Sequence, residues 1–132
     1  MKLFRKTPAQ PALATPRVQA EAAPPRVPEI AVADVIEQRR NGVEVHLLDC
    51  RESFERAQVR IPGSLHIPMN DLPARLSELD ATVPWVVVCA HGNRSYSVAA
   101  YLLRNGIEAG SLAGGITDWW IRGGETESNF RR

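Results

Sequence analysis

The stretch from Trp85 to Asn105, WVVVCAHGNRSYSVAAYLLRN, carries the pattern on which the fold prediction rests. Its first part, Trp85 to Cys89, is an apolar, β-branched run that is typical of a strand buried on both faces of a sheet. Its last part, residues 95–105, has apolar residues at helical spacing and ends at Asn105-Gly106, a common helix stop. The pattern predicts a strand, a short loop and a helix.

The loop places a thiol where chemistry is favoured. Cys89 follows the strand and faces the amino end of the next helix, where the helix dipole and free N–H groups favour a thiolate or a bound anion. Gly92 lets the loop backbone curl inward, and Arg94 adds a fixed positive charge. Cysteine is often only a small buried apolar residue. Its position at the strand end instead favours a nucleophile.

Length and composition limit the alternatives. A chain of 132 residues with 44% hydrophobic and 23% charged residues is expected to form one globular domain. The net charge of +1 gives no support for nucleic-acid binding, and no apolar run is long enough for a membrane span. Two cysteines are too few for a disulfide framework, and they lack the spacing of a zinc site. A reducing, cytoplasmic location with at least one working thiol is the simplest interpretation.

The first 28 residues differ in composition from the rest. They contain six of the ten prolines and five basic residues against one acidic residue. Proline removes a backbone donor and disfavours helix in the residue before it, so we expect residues 1–28 to form a disordered, basic, Pro/Ala-rich tail. A transit peptide is the weaker alternative, because so many prolines oppose an amphipathic helix.

The remaining residues alternate between strand and helix patterns, which predicts an α/β sandwich with a mostly parallel sheet. In such sheets the functional site lies at the carboxyl ends of the strands, so Asp49-Cys50-Arg51 and Cys89 should meet there. Residues 29–42 are expected to form a brief extended entry followed by a helix. Further helices are expected at 52–56, from Asn70 or Asp71 through Leu79, at 95–105 and at 116–121, and further strands at 45–49, 65–67 and 107–112.

Four stretches in this order resemble the rhodanese family of sulfurtransferases. The loop from Cys89 to Ser95, CAHGNRS, is similar to the family's active-site loop. The other three resemble its Asp-x-Arg-Glu strand end, its Ile-Pro-Gly-Ala turn and its Gly-Gly-x-x-x-Trp helix: Leu47–Glu52, Ile61–Pro68 and Leu112–Trp119. The resemblance implies a three-layer sandwich with a mostly parallel five-stranded sheet flanked by helices, over residues 29–127, followed by a C-terminal tail at 128–132.

The resemblance also implies an activity that needs neither a metal nor an organic cofactor. Cys89 would accept a sulfane sulfur from a donor such as thiosulfate, become a persulfide and pass the sulfur to cyanide or a thiol. Arg94 would hold the loop's shape and a positive potential, and Ser95 would cap the helix. The loop N–H groups would stabilise the added sulfur, as an oxyanion hole stabilises charge; the loop residues concerned are Ala90, His91, Gly92, Asn93, Arg94 and Ser95.

Loop length and charge bear on the substrate. Four residues separate Cys89 from Arg94, whereas the related dual-specificity phosphatases have five and a wider loop suited to phosphate. Phosphatase or arsenate reductase activity is therefore the weaker alternative. Family members that favour thiosulfate often have a basic residue after the cysteine, where this chain has Ala90. A persulfide relay to a protein acceptor, or a protein-interaction module with little turnover of small donors, is the second hypothesis.

Three further residues are supporting candidates. Asp49 and Arg51 could form part of the pocket floor, but a structural ion-pair clamp is the favoured interpretation. Arg60 could attract anions at the pocket mouth, although a solvated turn charge is favoured. Cys50 is interpreted as a small core residue, with a resolving thiol for Cys89 as the alternative.

Overall fold

A computed structural model describes residues 25–130 of the chain, so most of the predicted tail, residues 1–24, lies outside the described residues. Within these described residues, five strands and five α-helices alternate. The strands are β1 (Glu29–Ile30), β2 (His46–Asp49), β3 (Leu65–His66), β4 (Trp85–Val88) and β5 (Ala109–Leu112). The helices are α1 (Val32–Arg40), α2 (Ser53–Gln58), α3 (Leu72–Arg75), α4 (Asn93–Arg104) and α5 (Gly115–Ile121).

The five strands form one sheet in the order β1-β5-β4-β2-β3, and every pair in it is parallel. The β2–β4 pair is in register from His46 opposite Trp85 to Asp49 opposite Val88. Because β2 and β4 are neighbours, the residues that follow them meet at the carboxyl edge of the sheet. The predicted α/β class and the meeting of these two strand ends are confirmed.

Two apolar cores lie on the two faces of the sheet. On one face α3 and α4 cover β2 and β4, and on the other face α1 and α5 pack against the same strands. Leu48, Val87 and Leu102 have no exposed surface on the first face, and Trp119 is 1% exposed on the second. Each such side chain contributes about 1.5–3 kcal/mol by its removal from water. The three layers hold the strand ends, and therefore the site, in a fixed geometry.

The helix predicted from Asn70 or Asp71 is broken into three short pieces. A 3₁₀ turn at Met69–Asp71 precedes α3, and a second 3₁₀ turn at Leu76–Glu78 follows it. The Asp71 side chain makes no capping hydrogen bond. The 3₁₀ geometry has three residues per turn, so it keeps Leu76 and Leu79 on the same side. The predicted apolar face is present, but a continuous helix is wrong.

Packing extends beyond both predicted domain limits. Val27 is 6% exposed and belongs to the core on the α4 face, and the amide of Ser111 donates to the carbonyl of Pro28. At the other end the amide of Asn129 donates to the carbonyl of Ala57. Packing contacts among the described residues therefore reach residues 27 and 129, and the domain limits of 29 and 127 stay a prediction.

Candidate active site

The Cys89 loop, residues 89–95, leaves the central strand β4 and enters helix α4. Cys89 is 1% exposed and lies directly after Val88. Gly92 is the N-cap residue of α4, with φ of 109°, a left-handed conformation that favours glycine. This turn brings the loop backbone around the Cys89 sulfur.

Two backbone amides and one hydroxyl of the loop surround that sulfur. The amide of Gly92 lies 3.0 Å from Sγ, and the amide of Ser95 lies 3.3 Å from it. The Ser95 hydroxyl oxygen is also 3.3 Å from Sγ. Donors that face a sulfur at this range stabilise a negative charge on it.

The protonation of Cys89 follows from two opposed effects. Burial raises the pKa of the thiol, because a thiolate is poorly solvated there. Hydrogen bonds from the Ser95 hydroxyl and from the amides of Ser95, Gly92 and His91 lower the pKa and outweigh burial. The net pKa lies below the ordinary value for cysteine, which increases the thiolate fraction near neutral pH.

Ser95 does not have the predicted role of a helix cap. Helix α4 begins at Asn93, two residues earlier than predicted, so Ser95 lies inside its first turn. Its hydroxyl points inward to Cys89 and to Ser111, which is 2.7 Å away. The residue is fully buried, whereas a capping side chain would bond the helix's own amides.

Helix α5 holds the loop from the other side. The amide of Ile116 donates to the carbonyl of Cys89 at 2.9 Å, and the amide of Thr117 donates to the carbonyl of Ala90 at 3.2 Å. Gly115 has φ of 63°, and a Cβ there would collide with the carbonyl oxygen of Cys89. Only glycine therefore permits this close approach of α5 to the loop.

Arg94, predicted to hold the loop's shape and a positive potential, is paired with a carboxylate. Its two terminal nitrogens donate to the two carboxylate oxygens of Glu55 at 2.9 and 2.8 Å. The pair ties α2 to the start of α4. Arg94 can therefore hold the loop's position, but Glu55 offsets its charge.

Glu55 is a site residue that the sequence analysis missed. Within α2 it also forms a capping box with Glu52, a pattern visible in the sequence as two glutamates three residues apart. That local signal predicts a helix start. It contains nothing about Arg94, which is 39 residues away.

Glu55→Gln is expected to lower stability in a pH-dependent way. The hydrogen bonds from Arg94 lower the pKa of Glu55 from 4.5 to about 2. A carboxylate with a depressed pKa stabilises the fold above its unfolded pKa and loses that contribution as pH falls towards its folded pKa. The pair is partly exposed, so after solvent screening we expect Glu55→Gln to lower the free energy of unfolding by about 1–2 kcal/mol at pH 7. This loss should fall towards zero between pH 4.5 and 2.

Urea unfolding of the wild-type protein and of Glu55→Gln, from pH 7 to pH 2, measures this difference in free energy. Glu78→Gln is the matched control, because Glu78 pairs with Arg75 on an exposed surface. It should change stability much less than Glu55→Gln. A Glu55→Gln difference that stays constant over this pH range would contradict the prediction.

Asp49 and Arg51 form the structural clamp that was the favoured interpretation. Both carboxylate oxygens of Asp49 accept from the Arg51 side chain, at 2.9 and 2.7 Å, and Arg56 donates to one of them at 3.1 Å. Arg51 also donates to the carbonyl of Val59, and Arg56 to the hydroxyl of Ser64. These bonds join β2, α2 and the turn before β3, so they hold the loops around the site.

The hydrogen bonds of Arg60 go to Glu127 and Arg56 rather than to the Cys89 loop. It forms an isolated antiparallel bridge with Glu127, and its Nε donates to the Glu127 carboxylate at 3.1 Å. It also donates to the carbonyl of Arg56. These contacts fasten the end of the described chain to the turn, which does not favour the pocket-mouth role.

Cys50 is the neighbour of Cys89 across the β2–β4 pair. Its amide donates to the carbonyl of Val88, and both cysteines belong to the core on the α4 face. Burial, followed by the nearby Cys89 and Asp49, raises the pKa of Cys50 to about 12. Such a thiol is neutral near pH 7 and is a poor nucleophile. The core interpretation fits this environment, and the resolving role stays a hypothesis.

The outer part of the loop faces solvent. His91 and Asn93 are exposed, and Ala90 is half-buried. Within residues 25–130, no group of three or more His, Cys, Asp or Glu residues is arranged to hold a metal ion. Over the same residues, no helix is both long enough and apolar enough to cross a membrane.

The sequence model of the Rhodanese-like domain family matches residues 32–122. The chain belongs to the rhodanese family. The match includes the Asp49–Arg51 clamp, the Cys89 loop and the amino end of α5. The three-layer rhodanese architecture with a five-stranded sheet is therefore confirmed, and the sheet is parallel throughout.

Relatives named as sulfurtransferases match most of the domain. The chain is 36% identical over 94 residues to a protein of Allochromatium vinosum named Sulfurtransferase, covering 70% of this chain and 88% of that protein. It is 38% identical over 91 residues to the Thiosulfate sulfurtransferase GlpE of Pseudomonas aeruginosa, covering 68% of this chain and 81% of that protein. A rhodanese-related protein of Thermoplasma volcanium has a solved structure with 31% identity and a TM-score of 0.70, covering 76% of this chain and 97% of that one.

Proposed function

We propose that this rhodanese is a sulfurtransferase and that Cys89 carries the transferred sulfur as a persulfide. The observation that supports this most strongly is the arrangement of two amides and one hydroxyl around the Cys89 sulfur. Relatives named sulfurtransferase over most of the domain support the reaction class.

The reaction divides into two displacements at sulfur. The Cys89 thiolate attacks the outer sulfur of thiosulfate, a sulfur–sulfur bond forms to Cys89, and the bond to the sulfonate breaks with release of sulfite. Cyanide or a thiol then attacks that outer sulfur. The product leaves as thiocyanate or a new persulfide, and the electron pair returns to Cys89 as a thiolate.

The loop supplies the electrostatic part of this chemistry. The outer sulfur of a persulfide is negatively charged near neutral pH, and the backbone amides from Ala90 to Ser95 would stabilise it in the way an oxyanion hole does. Glu55 offsets the charge of Arg94, so backbone and hydroxyl dipoles carry most of this stabilisation. Amides of α5 donate to the carbonyls of Cys89 and Ala90, which fixes the loop backbone before the donor binds.

A thiocyanate assay tests the proposal. The full chain is incubated with thiosulfate and cyanide, and thiocyanate is measured against a blank without protein. We expect formation above the blank with saturation in thiosulfate. In parallel, p-nitrophenyl phosphate should remain unhydrolysed, because a loop with four residues between Cys89 and Arg94 is narrow for phosphate. Phosphate release without thiocyanate would reverse this assignment.

One observation favours the second hypothesis, delivery of persulfide to or from a protein. Thiosulfate is a dianion, yet Ala90 is uncharged and the Arg94 charge is offset by Glu55. A persulfide group carries one negative charge where thiosulfate carries two, so a protein or small-molecule persulfide would lose less in such a loop. Loading of Cys89 by glutathione persulfide and by thiosulfate at equal concentration separates the two. Faster loading by the persulfide supports the relay, and faster loading by thiosulfate opposes it.

The acceptor, a protein sulfur partner and the cytoplasmic location stay proposals. Two free cysteines, both buried, fit a reducing compartment. The predicted tail of residues 1–28 is a candidate partner-binding segment under the relay hypothesis. A pull-down that depends on these residues would support that role, and one that does not would oppose it.

A further inference from the structure

A buried pair of serine hydroxyls lies behind the Cys89 sulfur. Ser95 Oγ is 3.3 Å from Sγ of Cys89, and Ser111 Oγ is 2.7 Å from Ser95 Oγ. Ser111 Oγ is also 3.5 Å from the carbonyl oxygen of Gly92. Ser95 is fully buried and Ser111 is 2% exposed. The hydroxyls therefore form a chain that begins at the sulfur and ends on the loop backbone.

The sheet explains how Ser111 comes to lie there. Ser111 is in register with Val87 of β4, which is itself in register with Leu48 of β2. Leu48 and Val87 belong to the core on the α4 face, and Ala109, two residues before Ser111, belongs to it as well. The pleat therefore directs Ser111 towards the first turn of α4. A hydroxyl among these apolar neighbours needs a partner, and Ser95 is the nearest one.

The number of protons available limits the directions of these bonds. When Cys89 is a thiol, its S–H donates to Ser95, Ser95 donates to Ser111, and Ser111 donates weakly to the Gly92 carbonyl. When Cys89 is a thiolate, Ser95 must turn its only proton to the sulfur. The Ser95 oxygen then accepts from Ser111, since Ser111 has a free proton to give. Both hydroxyls reverse direction together, and only the long bond to Gly92 is lost.

We propose that Ser111 is a positioning residue for Cys89, whose hydroxyl orients and polarises the Ser95 hydroxyl as a donor to the thiolate. A hydroxyl that accepts a hydrogen bond becomes a stronger donor, and bonds to a charged sulfur exceed those to a neutral one. Ser111 thus favours the thiolate more than the thiol without touching the sulfur. This inference deepens the proposed function, on which its catalytic relevance rests.

Within the described residues, none of the other ionisable groups around Cys89 forms a hydrogen bond with Ser111. A shift on replacement of Ser111 can therefore be assigned to the hydroxyl pair. These groups are the neutral Cys50 thiol after β2, the Arg94–Glu55 pair between α4 and α2, and His91 in the loop. The last is Asp118 within α5, which pairs with Arg122 directly after that helix.

The test is the pH dependence of Cys89 alkylation by iodoacetamide in the full chain without a sulfur donor, followed by peptide mass spectrometry. Ser111→Ala should raise the midpoint by about 0.5–1 pH unit. Ser111→Thr keeps the hydroxyl, so its alkylation midpoint should stay near that of the wild type. Ser111→Val has the shape of the threonine variant without the hydroxyl, so its midpoint should be raised. This Thr and Val pair decides the question even where the alanine variant folds poorly. Ser97→Ala, on the exposed side of α4, is the control and should cause no shift.

A double-mutant cycle separates positioning from a general structural role. Ser95→Ala removes the donor through which Ser111 acts, so adding Ser111→Ala should cause no further shift. An unchanged midpoint in Ser111→Ala, equal midpoints for the Thr and Val variants, or additive shifts in the double variant would overturn the inference. Alkylation needs no sulfur donor, so a shifted midpoint in a protein that never gains sulfur would reject the proposed function alone.

Discussion

Replacement of Cys89 by serine is expected to lower the rate of thiocyanate formation by at least about 1000-fold. A serine hydroxyl in this loop stays protonated near neutral pH, because its pKa is far above that of a thiol. It also cannot form the sulfur–sulfur bond on which the proposed transfer depends. The loop amides remain in place, so the loss reports the nucleophile rather than the surrounding structure. Initial rates at saturating thiosulfate and cyanide measure the effect.

Cys50→Ala is the matched control for Cys89→Ser. Cys50 is the chain's other cysteine, is equally buried and adjoins Cys89 across the sheet, but its raised pKa keeps it neutral. We expect the Cys50 variant to retain most of the activity. Loss of activity in Cys50→Ala together with retention in Cys89→Ser would show that Cys50, and not Cys89, carries the sulfur.

Replacement of Asp49 by asparagine is expected to lower the free energy of unfolding by about 3–5 kcal/mol. Asp49 is 1% exposed and accepts from the Arg51 amide, the Arg51 guanidinium and Arg56. Asparagine has nearly the same shape but no charge, and it puts an N–H group where an acceptor is needed. Arg51, which is 2% exposed, would then carry a buried charge without a carboxylate partner.

Urea unfolding followed by circular dichroism measures this loss. Glu37→Gln makes the same chemical change on the exposed surface of α1 and should alter stability far less. We also expect Asp49→Asn to lower activity only through reduced folding. The Asp49 carboxylate accepts hydrogen bonds from Arg51 and Arg56 and makes none with the Cys89 sulfur. A stability change below about 1 kcal/mol would contradict the clamp assignment.

Much of the site follows from local sequence patterns. The apolar run at residues 85–88 predicts a buried strand, and strand ends in a parallel sheet meet, so the adjacency of Cys50 and Cys89 could be predicted. Asn105-Gly106 marks the end of α4 correctly. Helix starts were less predictable: α4 begins at Asn93 because Gly92, rather than Ser95, occupies the N-cap position.

The contacts that set the loop's charge could not be read from the sequence. Arg94 with Glu55, and Ser95 with Ser111, are separated by 39 and 16 residues and meet only after the sheet forms. The broken segment after Pro68 has the same origin, since its leucines can face the core in either an α-helix or 3₁₀ turns. Tertiary packing, rather than local propensity, decides such cases.

The proposed persulfide on Cys89 is tested most directly by intact-protein mass spectrometry after exposure to a sulfur donor. Wild-type protein, treated with thiosulfate or glutathione persulfide and freed of excess donor, should gain the mass of one sulfur atom. Cyanide should remove it, and Cys50→Ala should gain it as well. Cys89→Ser should gain nothing. An equal gain in Cys89→Ser, or no gain in wild-type protein with either donor, would contradict the account.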